Sequence, residues 1–195
     1  KMLESENSFT KIVDDILKDA CEYLGISAGA LLRENQEQKT VDMICEYAGG
    51  GREPQMAKEQ GVPKEELPFF NGKPYMISSD SMMPEGFARL FAQKKLTAAV
   101  FLPVEVNGHA GMYLCFCESE KKKKWENADV KFINDVKRII QTILTKRITK
   151  NSLASSYASL EAILENVGCA IYVRDPQTGH ILYANEKYQK FFKKT

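Results

Sequence analysis

The sequence is poor in histidine, the side chain on which many catalytic sites depend. Its 195 residues include two histidines, His109 and His180, and both lie beside predicted turns, where a solvent-exposed position is the simpler explanation. Basic and acidic side chains nearly cancel, for a net charge of +1, so no basic surface for nucleic acid or an acidic membrane is indicated. No apolar run approaches the roughly 20 residues of a membrane-spanning helix. We therefore expect no catalytic histidine and no nucleic-acid or membrane partner.

The five cysteines give no disulfide framework, because their number is odd and they lie within apolar patterns. With no secretory leader visible, reduced and buried thiols are expected, which indicates the cytoplasm. Cys115 and Cys117 are two apart on a predicted strand and point the same way. A metal ion would need two further ligands, such as Cys21 and Cys45. Small core residues are the simpler interpretation, so we expect no metal site and no catalytic residue.

The segment from Ala98 to Glu120 raises the most specific structural question. Two apolar runs flank Asn107-Gly108, a dipeptide favoured in tight β-hairpin turns. If these two residues form the turn, the predicted facing pairs are Val104 with Gly111, Leu102 with Tyr113, Val100 with Cys115, and Ala98 with Cys117. The other face then carries Ala99, Phe101, Pro103, Met112, Leu114 and Phe116. Because both faces are apolar, unlike those of a half-exposed hairpin, both must be covered.

The remaining segments before this hairpin predict an α+β arrangement. Apolar spacing predicts a helix from Phe9 to Leu24, with Asn7 or Ser8 as its cap and Gly25 as its stop. Short strands are predicted over 28–33, 41–47 and 75–77, and a helix over 84–95 that buries Phe87, Leu90 and Phe91. From Gly49 to Pro74 the periodicity disappears. A loop of that length within a domain is either disordered or functional, often as a lid.

A long helix is predicted after Trp125, because neither glycine nor proline occurs between Met112 and Val167. Its apolar residues recur at alternating steps of four and three, the repeat of a coiled-coil seam. The seam consists of Phe132, Val136, Ile139, Ile143, Leu153, Tyr157, Leu160 and Leu164, with Lys146 and Lys150 in its middle. This repeat predicts a homodimer through the C-terminal helix, and the two lysines would weaken the packing.

After the helix, a strand from Cys169 to Arg174, a turn around Asp175 and Gly179, and a strand from His180 to Ala184 are predicted. A final helix capped by Asn185 follows.

Over roughly residues 5–150 the chain resembles a GAF domain. The resemblance rests on the order of helix, two strands, variable loop, helix, Asn-Gly hairpin with its Gly-Met-Tyr-Leu arm, lysine-rich turn and closing helix from about 126. It implies a profilin-like central antiparallel sheet with helices on one face and a pocket covered by a loop and a helix on the other. The hairpin's two apolar faces would then be a helix-packing face and a pocket floor, in an order that the sequence does not specify.

The tail resembles the opening third of a PAS domain, in the segments ILENVG, CAIYVRD, PQTG, HILYAN and EKYQKFF. Residues 150–166 would then be a linker helix and 167–195 a truncated PAS domain. This order implies a non-catalytic bacterial sensor that binds a small molecule, in the regulatory region of a GGDEF diguanylate cyclase of cyclic di-GMP signalling. In such proteins two chains align their linker helices. The regulatory region of a histidine kinase is the first alternative.

The candidate ligand-binding residues come from the loop, the strand after it, the next helix and one hairpin face. They are Met76, Asp80, Phe87, Arg89, Phe91, Tyr113 and Cys115. Asp80 and Arg89 would orient a polar ligand, although a turn-capping Asp80 and a surface Arg89 are the simpler interpretations. The apolar candidates fit an ordinary core equally well.

No cofactor is expected. The cysteine spacing of GAF methionine sulfoxide reductases, a Cys-His pair for a bilin, and the cyclic-nucleotide pattern of phosphodiesterases do not occur. Two further alternatives are a thiol-dependent GAF enzyme acting on a small oxidised metabolite through Cys115 or Cys117, and a structural dimerisation module whose pocket is filled by its own side chains.

Overall fold

The computed structural model describes residues 2–49, 61–106 and 108–192. The chain divides into two compact units, Lys1–Thr145 and Lys146–Thr195. In chain order the elements are α1 (Met2–Leu24), β1 (Ala28–Asn35), β2 (Thr40–Ala48), β3 (Val62–Pro63), a 3-10 turn (Lys64–Glu66), β4 (Tyr75–Ile77), α2 (Phe87–Lys94), β5 (Ala98–Val106), β6 (His109–Glu118), α3 (Asn127–Asn166), β7 (Tyr172–Arg174), β8 (Ile181–Ala184) and α4 (Glu186–Phe192).

The first unit is built on a six-stranded antiparallel sheet, which confirms the predicted α+β class. The strand order is β3-β2-β1-β6-β5-β4. The two edge strands have two and three residues, and Pro63 lies on one of them. Gly25 ends α1 with a positive φ of 60°, as predicted. The predicted caps Asn7 and Ser8 are wrong, because α1 begins at Met2 and includes both residues.

The β5–β6 hairpin forms as predicted, but its register differs by one residue. Val106 pairs with His109, and Gly108 between them has a φ of 79°, which agrees with the predicted turn; Asn107 itself lies outside the described residues. A β-bulge between Val104 and Val106 then shifts every later pair.

The bulge makes the predicted face assignment of the hairpin wrong. The observed pairs are Val104 with Met112, Leu102 with Leu114, Phe101 with Cys115, Val100 with Phe116, and Ala99 with Cys117. Because side chains alternate along a strand, one extra residue moves the rest of that strand to the other face. Tyr113 and Cys115 therefore share a face with Phe101, and not with Leu102 and Val100 as predicted.

One face of the sheet is covered by α1 and the first part of α3. The row Leu31, Leu114 and Leu102 crosses this face. From α1, Val13 and Leu17 are fully buried, and the rings of Tyr23 and Phe132 lie 4.2 Å apart. Gly29 permits the close approach of α1, because a Cβ there would lie 2.9 Å from the Cys21 sulfur and 3.2 Å from the Phe116 ring.

The other face is covered by α2 and by the segment between β3 and β4. The buried cluster on this side includes Phe69, Phe70, Phe87 and Phe91 above Phe101, Tyr113 and Cys115. All residues of β5 except Glu105 are buried. Both faces of the hairpin are therefore covered, as its composition requires.

The helix α3 carries two apolar stripes, and only the dimer seam was predicted from the sequence. The buried stripe is formed by Ile133, Val136, Ile140 and Leu144 and packs within the first unit. Of the predicted dimer seam, Phe132 contacts Tyr23 and Val136 is buried. Ile139, Leu153, Tyr157 and Leu160 are more than half exposed, and Ile143 and Leu164 are partly buried.

The lysine-rich turn anchors the start of α3. Lys123 Nζ lies 2.9 Å from an Asp129 carboxylate oxygen and 5.3 Å from the centre of the Trp125 ring. The Trp125 indole N–H donates to the Ile77 carbonyl at 3.0 Å, and the Ser79 N–H donates to the Lys123 carbonyl at 2.9 Å. The turn is thus fixed to β4 and is only partly solvated.

A buried carboxylate closes the same end of the sheet. Glu118 is 2 % exposed, and its Oε1 accepts hydrogen bonds from the Ser27 hydroxyl at 2.7 Å and from the backbone N–H of Ser119, Glu120 and Lys121. Burial raises the pKa of Glu118, but these hydrogen bonds outweigh it and hold the pKa below the ordinary 4.5.

In the second unit, Asn185 is the central side chain. It caps α4 as predicted, because its Oδ1 accepts from the Tyr188 N–H at 3.0 Å. Its amide also donates to the carbonyls of Leu164 and Cys169, and it is fully buried. These bonds tie the last turn of α3 to β8 and α4.

Glu118→Gln tests the buried carboxylate. At pH 7 we expect the unfolding free energy to fall by about 1–3 kcal/mol, because a neutral amide accepts weaker hydrogen bonds than a carboxylate. The folded pKa is depressed, so this stabilisation is complete above the ordinary pKa of 4.5 and is lost as the pH falls toward the folded value. Urea denaturation should show that the unfolding free energies of the two proteins differ less at pH 3.5 than at pH 7. Glu85→Gln, at an exposed position, is the control, and an equal difference at both pH values would contradict the prediction.

Candidate ligand pocket

The pocket face of the sheet carries a cluster of aromatic rings. Phe69 stacks on Phe101 with ring centres 4.1 Å apart and planes 9° from parallel. Phe70 lies 4.5 Å from Tyr113, and Tyr75 lies 4.7 Å from Phe87. Two of these rings come from the loop before β4, one from α2 and three from strands. The rings fill most of the space between the sheet and its cover.

Beside these rings lies an apolar cavity of about 30 Å³. It is lined by Leu32, Val41, Met43, Val62, Leu67, Phe69, Leu90, Lys94, Leu96 and Phe101. One water needs about 10–15 Å³ measured in this way, whereas small-molecule pockets typically have volumes of about 300–1,000 Å³. In this conformation the cavity therefore has room for no more than a very small molecule.

A short lid, residues 69–73, contributes Phe69 and Phe70 to the ring cluster and is tied to the sheet by Tyr113. The Tyr113 hydroxyl accepts from the Gly72 N–H at 2.6 Å and donates to the Lys73 carbonyl at 3.5 Å. Burial raises the pKa of Tyr113, and the hydrogen bond from the Gly72 N–H partly offsets this rise. The Asn71 side-chain amide donates to the Tyr75 hydroxyl at 2.7 Å. The lid thus rests on a few polar contacts and on the stacking of Phe69.

Two lysines lie near the cavity, and one of them is paired with a carboxylate. Lys94, at the end of α2, is half-buried and lines the cavity. Lys64 pairs with Glu34 at 2.6 Å, and its Nζ lies 5.7 Å from the centre of the Phe70 ring. An apolar cavity with an ammonium group at its wall suits an apolar molecule with a polar or anionic end.

The predicted ligand residues fall into two groups. Phe87, Phe91, Tyr113 and Cys115 belong to the buried cluster beneath the lid, although none of the seven candidates lines the cavity itself.

The other three lie elsewhere in the first unit. Met76 pairs with Val100 and so lies on the opposite face of the sheet. Asp80 is exposed and pairs with Lys124 at 3.4 Å, and Arg89 is exposed on α2. The exposed position of Arg89 agrees with its simpler interpretation as a surface side chain.

Three of the residues that line the cavity, Leu67, Phe69 and Lys94, were not predicted from the sequence. The first two lie in the aperiodic segment, and their signal was the apolar run Leu67 to Phe70 within a polar loop. Lys94 gave no signal, because a lysine in the last turn of a helix is common.

The thiols show no sign of activation. Burial, with Cys117 nearby, raises the pKa of Cys115 well above 9.0, and burial together with Glu46 and Glu118 raises the pKa of Cys117 to about 12. The pKa values of Cys21 and Cys45 are also about 12, chiefly through burial. Since the thiolate is the nucleophile, this environment disfavours a thiol-dependent reaction. In the described residues, no group of three or more His, Cys, Asp or Glu side chains is placed to hold a metal ion.

The part of the chain that the structure describes includes no helix long and apolar enough to cross a membrane. No protein-family model matches the sequence, and no curated protein does.

Solved structures do match. The blue-light-absorbing form of the PixJ GAF domain of Thermosynechococcus elongatus gives a TM-score of 0.61 at 11% identity, over 80% of this chain and 95% of that one. The photoproduct state of a Synechocystis GAF domain gives a TM-score of 0.61 at 11% identity, over 74% of this chain and 98% of that one. The phycocyanobilin-bound GAF domain of a cyanobacterial phytochrome gives a TM-score of 0.59 at 10% identity, over 72% of this chain and 84% of that one. At these identities the likeness is one of fold, and the fold is that of GAF domains.

Proposed function

We propose that this chain is a non-catalytic sensory and signal-transduction module. The GAF-fold unit binds a small molecule on the ring-bearing face of its sheet, and α3 passes the signal on through a dimer. The observation that carries the proposal is the apolar cavity bordered by Phe69 of a lid that has few polar attachments. Such a cover can be displaced at modest cost, unlike the two-helix cover of the opposite face.

The expected ligand is smaller than a bilin. Phycocyanobilin is bound in one of the matched GAF domains, but in this chain six aromatic side chains, including Phe69 and Phe70 of the lid, fill this side of the sheet. Inserting a tetrapyrrole would require most of these rings to leave. A single-ring apolar molecule needs only the lid, with its Phe69 ring, to move, and an anionic substituent on it would be attracted to Lys94.

Beyond the fold, we propose that the chain belongs to the regulatory region of a diguanylate cyclase, with a histidine kinase as the alternative output. Residues 167–195 are proposed as the opening of a PAS domain. The exposed apolar side chains on β7 and β8 support this proposal, among them Tyr172 at 53 % and Leu182 at 67 %. A two-stranded sheet of this length needs further strands for stability.

The second candidate function is a structural dimerisation module with no ligand. The small size of the cavity favours it, because a closely packed interior leaves no room for a guest. Ligand binding by the isolated chain separates the two candidates.

Indole, benzoate and biliverdin serve as probes for the cavity. We expect at least one single-ring probe at millimolar concentration to raise the melting temperature, because binding to the folded state alone stabilises it. Biliverdin should give no saturable absorbance change. Leu96→Phe, at a half-buried lining position, should abolish the effect by filling the cavity. If neither single-ring probe stabilises the chain and native mass spectrometry detects no bound molecule, the structural module is the better account.

Tyr113→Phe tests the lid. The ring stays, but the hydroxyl that holds Gly72 and Lys73 is lost, so we expect a stability loss of about 0.5–1.5 kcal/mol. Hydrogen exchange of the amides at 70–73 should become faster, while exchange of β1 and β6 is unchanged. The control is Tyr47→Phe, which removes a hydroxyl 3.4 Å from Glu22 in the same unit. Equal exchange in the two variants at 70–73 would contradict the role of Tyr113.

Leu153→Glu/Leu160→Glu tests the dimer. Both leucines are more than half exposed on α3, so the folded chain should tolerate the change while a helix–helix interface should not. Sedimentation equilibrium should show a concentration-dependent dimer for the original protein and a 22.0 kDa species for the variant. Ser155→Glu/Ser159→Glu adds the same charge at other exposed positions of α3 and should leave the dimer intact. A monomeric original protein at 100 μM would refute this part of the proposal.

A further inference from the structure

The short strand β4 joins the lid to the segment that anchors the start of α3. The last lid residue is Lys73, and Pro74 alone separates it from Tyr75, where β4 begins. Proline fixes its own φ and also restricts the residue before it, so this junction is stiff. A movement of the lid is therefore passed on to Tyr75 and is not absorbed between the two.

Two side chains of β4 belong to the pocket face of the sheet. The Tyr75 hydroxyl accepts from the side-chain amide of Asn71 in the lid at 2.7 Å, and the Tyr75 ring lies 4.7 Å from the ring of Phe87 in α2. Ile77 lies in the same buried cluster and is 2 % exposed. The strand is thus bonded to the lid and packed within the cover of the pocket face.

The other end of β4 holds the segment before α3. The Ile77 carbonyl accepts from the Trp125 indole N–H at 3.0 Å, and the Ser78 hydroxyl accepts from the Trp125 backbone N–H at 3.2 Å. The Ser79 hydroxyl accepts from the Lys123 N–H at 2.8 Å, and the Ser79 N–H donates to the Lys123 carbonyl at 2.9 Å. Ile77 therefore places its side chain in the pocket cluster and holds Trp125 with its carbonyl.

The strand β4 is lightly held within the sheet. It lies at the edge, and among the described strands its three residues pair with β5. Segments with few contacts shift at the lowest free-energy cost. Farther along, α3 is fixed by its buried stripe of Ile133, Val136, Ile140 and Leu144. The start of α3, and not the part that carries this stripe, is therefore what a shift of β4 reaches.

We propose that β4 couples the lid to the start of α3, so that displacing the lid weakens the bonds between residues 77–79 and residues 123–125. With the lid seated, β4 is in place and the Trp125 indole is bonded; with the lid displaced, that bond weakens. The regulatory role of this coupling rests on the proposed sensory function, whereas the coupling itself can be measured without a ligand. Because coupling free energy is reciprocal, loosening either end must loosen the other.

Loosening the α3 end should open the lid. Trp125→Phe keeps an aromatic ring but removes the indole N–H that bonds Ile77. Hydrogen exchange of the amides at 72–73 should become about 5-fold faster or more, while exchange in β1 and β6 is unchanged. Ser79→Ala removes the hydroxyl bonded to the Lys123 backbone. It should act in the same direction, and it decides the matter if the first variant does not fold.

Phe132→Leu is the matched control for Trp125→Phe. It also weakens the packing of α3, because the ring centres of Phe132 and Tyr23 lie 4.2 Å apart, but this contact is with α1 and not with β4. Exchange at 72–73 should therefore equal that of the original protein. Equal acceleration in the two variants would indicate a general loss of stability and would overturn the coupling.

Loosening the lid should be visible at Trp125, the single tryptophan of the chain. Asn71→Ala/Tyr113→Phe removes the side-chain amide and the hydroxyl that hold the lid. The fluorescence emission of Trp125, which is 8 % exposed in the folded protein, should move to longer wavelength. Acrylamide should quench it more strongly, because the ring becomes more accessible to water. Tyr47→Phe, which removes a hydroxyl on another part of the sheet, should leave both measurements unchanged.

The results separate the coupling from the pocket. Faster lid exchange after loosening the α3 end, together with the emission shift after loosening the lid, supports the coupling. If either end stays unchanged when the other is loosened, the coupling is overturned, and the proposed pocket is still decided by stabilisation with indole or benzoate. If neither of these probes stabilises the chain while both ends respond to each other, the sensory function fails and the coupling stands.

Discussion

The burial of the β5–β6 hairpin on both faces is the constraint on which the first unit depends. A hairpin with no polar face is stable only if two separate layers cover it. Here one layer consists of α1 and the first part of α3, and the other of α2 and the segment before β4. Placing β6 next to β1 at the centre of the sheet gives each layer a continuous apolar surface. The lysine-rich turn and the buried Glu118 then fix the end of the sheet from which α3 departs.

The two covers differ in how firmly they are attached. The helical cover buries long stripes of aliphatic side chains, such as Val13, Leu17, Ile133 and Ile140. The other cover includes a short lid attached through hydrogen bonds to the Tyr113 and Tyr75 hydroxyls and through the rings of Phe69 and Phe70. Local opening is expected where few contacts must break. The rings that stabilise this face are also those that a ligand would displace, so binding and stability are in competition at the same residues.

The elements of this fold could largely be predicted from the sequence, because each has a local signal. The hairpin turn, the strands at 28, 41 and 75, the helix after Trp125 and the Asn185 cap all follow from turn residues, caps and periodicity. The hairpin faces could not be predicted, since a bulge leaves little trace in a strand whose residues are all apolar except Glu105. The helix α3 was interpreted from one stripe, although Ile133, Ile140 and Leu144 form another with similar spacing. The cavity depends on how the aperiodic loop folds back on the sheet, a tertiary effect without local signal.

The short edge strands have a consequence for how copies of this protein can meet. An open sheet edge offers unpaired backbone groups to any other strand, and natural proteins block it with proline or brevity. The β3 edge is two residues long and contains Pro63, which has no N–H to donate. The β4 edge is three residues long and passes directly into Ser78 and Ser79, whose hydroxyl oxygens accept from Trp125 and Lys123 N–H groups. Among the described residues of the first unit, both edges of the six-stranded sheet are therefore poorly suited to pairing with a strand of another copy, and the sheet is protected against edge-to-edge assembly.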